Sequence, residues 1–172
     1  IIHPQDGAMY FTIGGRRVQS GLYRVTYVGD ESTAPVEATT TESQARNTRH
    51  ALEAFHGKQD PKAIKVAWPY LADEDRFIRF AARTAIEHQP VDSWAEKALS
   101  ETDPAKQVEA LLALARVTGV CPQHQSSKDS KVDTEMRDKL LATVTSIDVS
   151  TLGLTQQLTL QRATQIILNR FG

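Results

Sequence analysis

Leu71-Ala72-Asp73-Glu74-Asp75-Arg76-Phe77-Ile78-Arg79-Phe80-Ala81-Ala82 is the stretch on which the fold turns. Asp73, Glu74 and Asp75 stand where carboxylates complement the positive end of a helix, and the residues that follow are apolar with a period of 3.6. Asp73, Ile78, Ala81, Ala82 and Ala85 recur at a shift of 30 as Asp103, Val108, Leu111, Leu112 and Ala115. Shifting back by 30 sets Ala51, Leu52 and Phe55 opposite Ala81, Ala82 and Ala85, and Arg46 and Arg49 opposite Arg76 and Arg79. A helix ahead of each later copy, at 61–71 and 92–100, makes the unit a helical hairpin. Single hairpins cannot bury their apolar faces, so the expected architecture is mostly α, an α-solenoid of stacked helical hairpins whose neighbouring layers share a core.

Outward from this stretch, the period predicts helices near 42–56, 61–71, 75–88, 92–100, 104–118, 132–146 and 154–170. Asp60-Pro61 and Asp103-Pro104 each put a capping carboxylate before a proline at the first helical position. Gly57 and Gly119 are expected to close helices in the left-handed conformation. Pro69 donates no amide and should bend the end of the 61–71 helix. Trp68 and Trp94 are expected in the core. Leu158, Ala163, Ile166, Ile167 and Phe171 form an apolar stripe on the last helix. The polar run Gln123-His124-Gln125-Ser126-Ser127-Lys128 reads as part of an exposed loop.

Before Gly29 the period is two. Ala8-Met9-Tyr10-Phe11-Thr12-Ile13 and Leu22-Tyr23-Arg24-Val25-Thr26-Tyr27-Val28 predict a β-hairpin, with Gly14-Gly15 and Ser20-Gly21 marking the ends of a loop of about eight residues. Met9, Phe11 and Ile13 share one face of the first strand; Tyr23, Val25 and Tyr27 share one face of the second. A two-stranded ribbon is marginal alone, so these strands are expected to belong to a larger sheet or to be covered by helices. The expected organisation is a β-hairpin at 1–29, a linker at 30–41, helical repeats at 42–119, an exposed loop at 120–133 and a C-terminal helical pair at 134–172. The opening Ile1-Ile2-His3-Pro4 reads as the start of a piece of something longer.

The 71–82 stretch resembles the HEAT-repeat pattern, and its short spacing is similar to the variant in phycobilin-lyase-type repeats, over about 42–119. The Val108-Glu109 copy departs from the aliphatic-Arg pair. The segment from Asp6 to Arg16, followed by Gln19-Ser20-Gly21-Leu22-Tyr23-Arg24-Val25, resembles closing strands of a β-propeller of the glucose/sorbosone-dehydrogenase-like class. Strands followed by alanine-rich helical repeats are similar to large membrane-bound dehydrogenase-like proteins of planctomycete-type bacteria. The resemblance implies a parent that uses pyrroloquinoline quinone and c-type haem, an extracytoplasmic location, a propeller upstream and a cytochrome module downstream. No Cys-x-x-Cys-His occurs here, so haem attachment does not carry over, and no catalytic residue, cofactor or metal ligand maps onto this segment.

The 172 residues are 40% hydrophobic, 24% charged and 6% aromatic, which excludes whole-chain disorder. Twenty basic against 21 acidic residues give a net charge of −1, so no global field draws the chain to nucleic acid or to an anionic membrane. No run approaches a membrane span. The single cysteine, Cys121, excludes an internal disulfide framework and a multi-cysteine zinc site.

Gly14, Gly15, Arg16 and Arg17 are candidate anion ligands through backbone amides and guanidiniums, against the reading of a glycine-enabled turn. Arg76, Arg79 and Arg83 fall on one side of a helix, and Arg46, Arg49 and Lys106 would extend it across layers. That ridge is either a ladder paired with Asp73, Glu74 and Asp75, or a partner-binding surface for phosphate or an acidic protein. Cys121 and His124 read as an exposed thiol and imidazole without further ligands. His50, His56 and His88 read as polar residues at helix ends. Three functions stay open: a non-catalytic spacer in a larger dehydrogenase-like protein, a stand-alone protein-interaction module, and a lyase-like enzyme acting on a tetrapyrrole.

Overall fold

The computed structural model describes residues 1–34, 43–121 and 131–172. The chain divides into two compact units, Ile1–Thr41 and Glu42–Gly172. It is mostly helical, with one short antiparallel hairpin at the N-terminus. Part of the 30–41 linker, and most of the 120–133 loop with His124, fall outside the described residues.

In the first unit β1 (Met9–Gly15) pairs antiparallel with β2 (Val18–Val25), Met9 facing Val25 and Phe11 facing Tyr23. The Phe11 and Tyr23 rings stack at 5.4 Å, the kind of cross-strand aromatic pair that fixes register. The connection is shorter than the expected eight residues. Gly14, Gly15, Ser20 and Gly21 all lie in the strands, and a two-residue turn of Arg16 and Arg17 joins them, with Arg17 at φ 67. A register shift between Ile13 and Gly15 lets the strands turn this tightly. Gly14 lies at a close approach of the strands rather than in a turn: a Cβ there would sit 2.7 Å from Ser20 Oγ, and the hydroxyl would have to rotate away.

The segment before β1 folds back on it. Ile2 bridges Met9, and Asp6 accepts from the Ala8 amide at 3.0 Å and from the Tyr10 hydroxyl at 2.8 Å. Those two hydrogen bonds, with His3 and Arg24 nearby, hold the Asp6 carboxyl below its ordinary range. Met9, Phe11, Ile13, Tyr23, Val25 and Tyr27 are between 42% and 53% exposed, so the apolar face of this ribbon stays open to solvent.

The second unit holds α1 (Gln44–Glu53), α2 (Ala63–Ala67), α3 (Arg76–Glu87), α4 (Ala95–Leu99), α5 (Pro104–Thr118), α6 (Thr134–Ser146) and α7 (Leu154–Arg170). Helix α3 packs on α1, α5 on α3 and α7 on α5; α2 packs on α3, α4 on α5, and α6 on both α4 and α7. The elements joining them are short 3-10 turns at Trp68–Ala72, Val91–Ser93 and Val149–Thr151. Pro69 ends α2 early and starts the first of these, because a residue without an amide cannot continue the α-helical ladder. Asp103 caps α5 through the amides of Ala105 and Lys106, with Pro104 at the first helical position. Asp60 instead caps a turn, accepting from the Lys62 amide ahead of α2.

Helix α5 lies at the centre. Every residue from Val108 to Ala115 is buried, the expected state of a helix apolar nearly all round. The repeat positions Ile78, Ala81, Ala82 and Ala85, with Val108, Leu111, Leu112 and Ala115, are all 5% exposed or less. On α1 Leu52 is buried but Ala51 is exposed. Trp68 and Trp94 are buried at 5% and 1%. On α7 Ala163, Ile166, Ile167 and Phe171 are buried with Leu160, whereas Leu158 points outward at 56% exposed. Leu158 is two positions from Leu160 on the helix and therefore on another face.

Gly57 takes the expected left-handed φ of 71, but Gly119 does not. It ends α5 at φ −79, and it is required there because a Cβ would meet Arg170 Cβ at 2.7 Å, Ala115 O at 2.8 Å and Phe171 Cε2 at 2.9 Å. Backbone hydrogen bonding from Val120 to the Arg170 carbonyl at 3.2 Å ties these two helix ends together. Gly119→Ala should therefore cost about 1–3 kcal/mol, read as a lower urea midpoint, while Gly57→Ala costs strain at positive φ without a clash. An unchanged midpoint for Gly119→Ala would show that the α5 and α7 ends are not held this close.

Candidate functional site

The arginines of α3 have chemically different surroundings. Arg79 donates from Nη1 to the carbonyls of Asp73 at 2.6 Å and Glu74 at 2.9 Å, so the turn before α3 holds it through backbone rather than through the side-chain carboxylates expected of a ladder. Those carboxylates are used locally: Asp73 accepts from the Asp75 amide, and Asp75 caps α3 at the Phe77 amide. Arg79 Nε lies 3.7 Å from Glu109 Oε1, and Arg83 Nη1 donates to Glu109 Oε2 at 3.0 Å. Thr159 on α7 approaches the same Glu109 carboxylate at 3.4 Å. Glu109 is 7% exposed, and a buried carboxylate needs such partners. Arg83 also lies 3.4 Å from Glu87, which receives a hydrogen bond from Arg116 at 2.8 Å.

This network was only half legible in sequence. Glu109 occupies the position one repeat after Arg79, and the departure from the aliphatic-Arg pair is a reversal of charge. Helices α3 and α5 pack together, so a carboxylate at position 109 pairs with Arg79 and Arg83 where an arginine would have created repulsion. Glu87, Arg116 and Glu109 were not singled out as partners; their opposite signs at a separation of about one repeat were the signal.

Arg76 differs. Its guanidinium sits 5.1 Å from the centre of the Phe77 ring, and among the described residues it forms no ion pair. Arg83 similarly approaches Phe80 at 5.5 Å. Phe77 and Phe80 are 57% and 56% exposed, unusual for two aromatics one helical turn apart. Arg76, Phe77, Arg79, Phe80, Arg83 and Glu109 line an open cleft of about 410 Å3. The structure thus brings together three of the sequence-predicted ridge residues and leaves out the others. Arg49 pairs with Glu53 at 3.1 Å, Lys106 pairs with Asp103 at 2.9 Å, and Arg46 is exposed on α1.

The candidate anion site at Gly14, Gly15, Arg16 and Arg17 is reduced to the two-residue turn, because Gly15 is engaged with Val18 in the ladder. His56 Nε2 contacts the Ala81 carbonyl and His88 Nδ1 the Thr84 carbonyl, both at 2.8 Å, and their rings stack at 6.0 Å. Cys121 is half-buried rather than exposed. Among the described residues no cluster of three or more His, Cys, Asp or Glu is placed to hold a metal. No helix among them is long and apolar enough to cross a membrane.

The chain matches no family model, no curated protein and no solved structure.

Elsewhere polar side chains join neighbouring elements. Gln89 is buried; its side chain donates to the carbonyls of Lys58 and Ala85 and accepts from the Asp60 amide. Trp68 Nε1 donates to Glu101 at 2.6 Å, and the Lys97 ammonium sits 4.5 Å from the Trp68 ring. Burial pushes the Glu101 carboxyl up, but the Trp68 N–H and the amides of Asp103 and Thr102, with Lys106 nearby, outweigh it and leave the pKa lowered. A carboxyl with a lowered folded pKa binds fewer protons folded than unfolded. Its stabilising contribution is present above the unfolded value and is lost as pH falls through the folded one. Glu101→Gln should therefore lower the unfolding midpoint near neutral pH and lose that effect in acid; a deficit independent of pH would remove the ionised carboxylate from the explanation.

Proposed function

We propose that this chain is a non-catalytic scaffold and spacer, its helical part a HEAT-like α-solenoid of stacked hairpins and its hairpin the closing edge of a β-propeller. The observation that carries the reading is the fate of the charged groups. Glu109, Glu87, Arg79, Arg83 and Arg116 are spent on one another across α3 and α5, and Thr159 of α7 joins them. These five side chains pair with one another and so tie neighbouring helices together. The succession of α1, α3, α5 and α7, each packed on the one before, supports the stacked arrangement.

The open apolar face of the ribbon supports the second half of the reading. A two-stranded sheet with Met9, Phe11, Tyr23 and Val25 exposed is suited to further strands or to a covering layer. On the resemblance, the larger protein is a sugar- or alcohol-oxidising dehydrogenase-like chain in which other segments supply the reaction. A c-type haem does not fit the donors here, because the single cysteine cannot form a Cys-x-x-Cys-His attachment. The purified chain, supplied with pyrroloquinoline quinone, sugars or alcohols and an electron-accepting dye, is expected to give no turnover. Substrate-dependent dye reduction would overturn the scaffold role.

A further inference from the structure

We propose that the cleft on α3 is a docking site for a short acidic peptide segment that carries a bulky apolar side chain. Its lining holds three guanidiniums, Arg76, Arg79 and Arg83, against one carboxylate, Glu109. The lining is therefore net positive in a chain whose overall charge is −1. Glu109 is shared between Arg79 and Arg83, so the cation left for an incoming carboxylate is Arg76, which has no ion pair among the described residues. Its planar fork suits a carboxylate bidentately.

The apolar part of the occupant follows from Phe77 and Phe80. Each ring is flanked by a guanidinium, Arg76 for Phe77 and Arg83 for Phe80. A guanidinium beside a ring is favourable, and both rings form part of the cleft lining. Two half-exposed phenyl rings beside an open guanidinium form the aromatic and arginine pairing that concentrates binding energy at interfaces. A side chain such as Leu or Phe would cover the rings while a neighbouring Asp or Glu reached Arg76.

The basic surface is short, which favours a peptide over a nucleic-acid strand. Asp73, Glu74 and Asp75 stand just before α3, and Glu109 forms part of the lining. A phosphodiester chain tracking along the helix would meet those carboxylates, whereas a peptide can place acids only where the arginines are. Docking goes beyond the scaffold role and fails separately from it: loss of peptide binding leaves the absence of turnover standing.

The test is fluorescence anisotropy on the full chain with a labelled peptide in which Asp and Glu flank a Leu-Phe pair. The expected result is saturable binding that weakens as salt is raised, with Arg76→Glu and Phe80→Ala each weakening it about tenfold or more. Both side chains are largely solvent-facing, and unchanged circular dichroism verifies that the variants fold. Arg137→Glu makes the same charge change on α6, outside the cleft lining, and should shift affinity less than twofold. Peptides with Lys for each acid, or Gly-Ser for Leu-Phe, should bind at least tenfold more weakly. The proposal is overturned if Arg137→Glu weakens binding as much as Arg76→Glu, if the Gly-Ser peptide binds equally well, or if single-stranded RNA outcompetes the acidic peptide.

Discussion

Glu109→Ala lowers the unfolding free energy by about 3 kcal/mol or more, because removing one partner of a buried ion network leaves the other charges uncompensated. Arg79 and Arg83 keep only 17% and 15% of their side-chain surface exposed, so water cannot fully replace the lost carboxylate. Thr159 keeps its shorter hydrogen bond to the Thr155 carbonyl, so the loss falls on the contact between α3 and α5. The expected readout is a fall in melting temperature on the order of 10 °C. Glu109→Ala with Arg83→Met recovers part of the loss by removing one stranded charge along with its partner. A change below about 0.5 kcal/mol would mean that these groups behave like an exposed surface pair, and the network would no longer explain how the helices are held.

Trp94→Ala costs about 3–5 kcal/mol. Trp94 is 1% exposed, belongs to the same core as Leu111, Leu114 and Leu140, and directs its indole N–H to the Gln89 carbonyl at 3.4 Å. It lies at the junction between the Val91–Ser93 turn and α4, a helix of only five residues with no side-chain cap. So short a helix is not stable by itself and depends on packing against α5 and α6. Removing the indole opens a large cavity beneath it. Urea unfolding followed by circular dichroism reads the loss; a shift under about 1 kcal/mol would place the indole outside the cooperative core.

The long helices were legible in the sequence because their ends are marked chemically. Asp103-Pro104 opens α5, Asp133 caps α6, and in α7 the apolar spacing of Leu160, Ala163, Ile166 and Ile167 marks the buried face. The short elements were not, since Pro69 and the Trp94 junction convert parts of two expected helices into 3-10 turns. The hairpin loop was misread for a specific reason: glycine pairs suggest a turn, yet Gly14 serves close strand approach and Arg17 takes the positive φ. Gly119 repeats the lesson at the end of α5, where space rather than φ demands glycine. At the cleft, the arginines of α3 were visible as a ridge, but their division into paired Arg79 and Arg83 and unpaired Arg76 depends on Glu109 reaching across from α5. Phe77 and Phe80 fall outside the repeated apolar positions 78, 81, 82 and 85, and that offset was the signal that they stay outside the core.

The helical unit holds its whole core within Glu42–Gly172, and its independence of the hairpin is measured by comparing the full chain with a chain beginning at Ser43. The account predicts that the shorter chain keeps the α-helical circular dichroism signal and a cooperative melt within about 3 °C of the full chain, since its core residues all come from Glu42–Gly172. Loss of helicity, or a melt that becomes broad and non-cooperative, would contradict it.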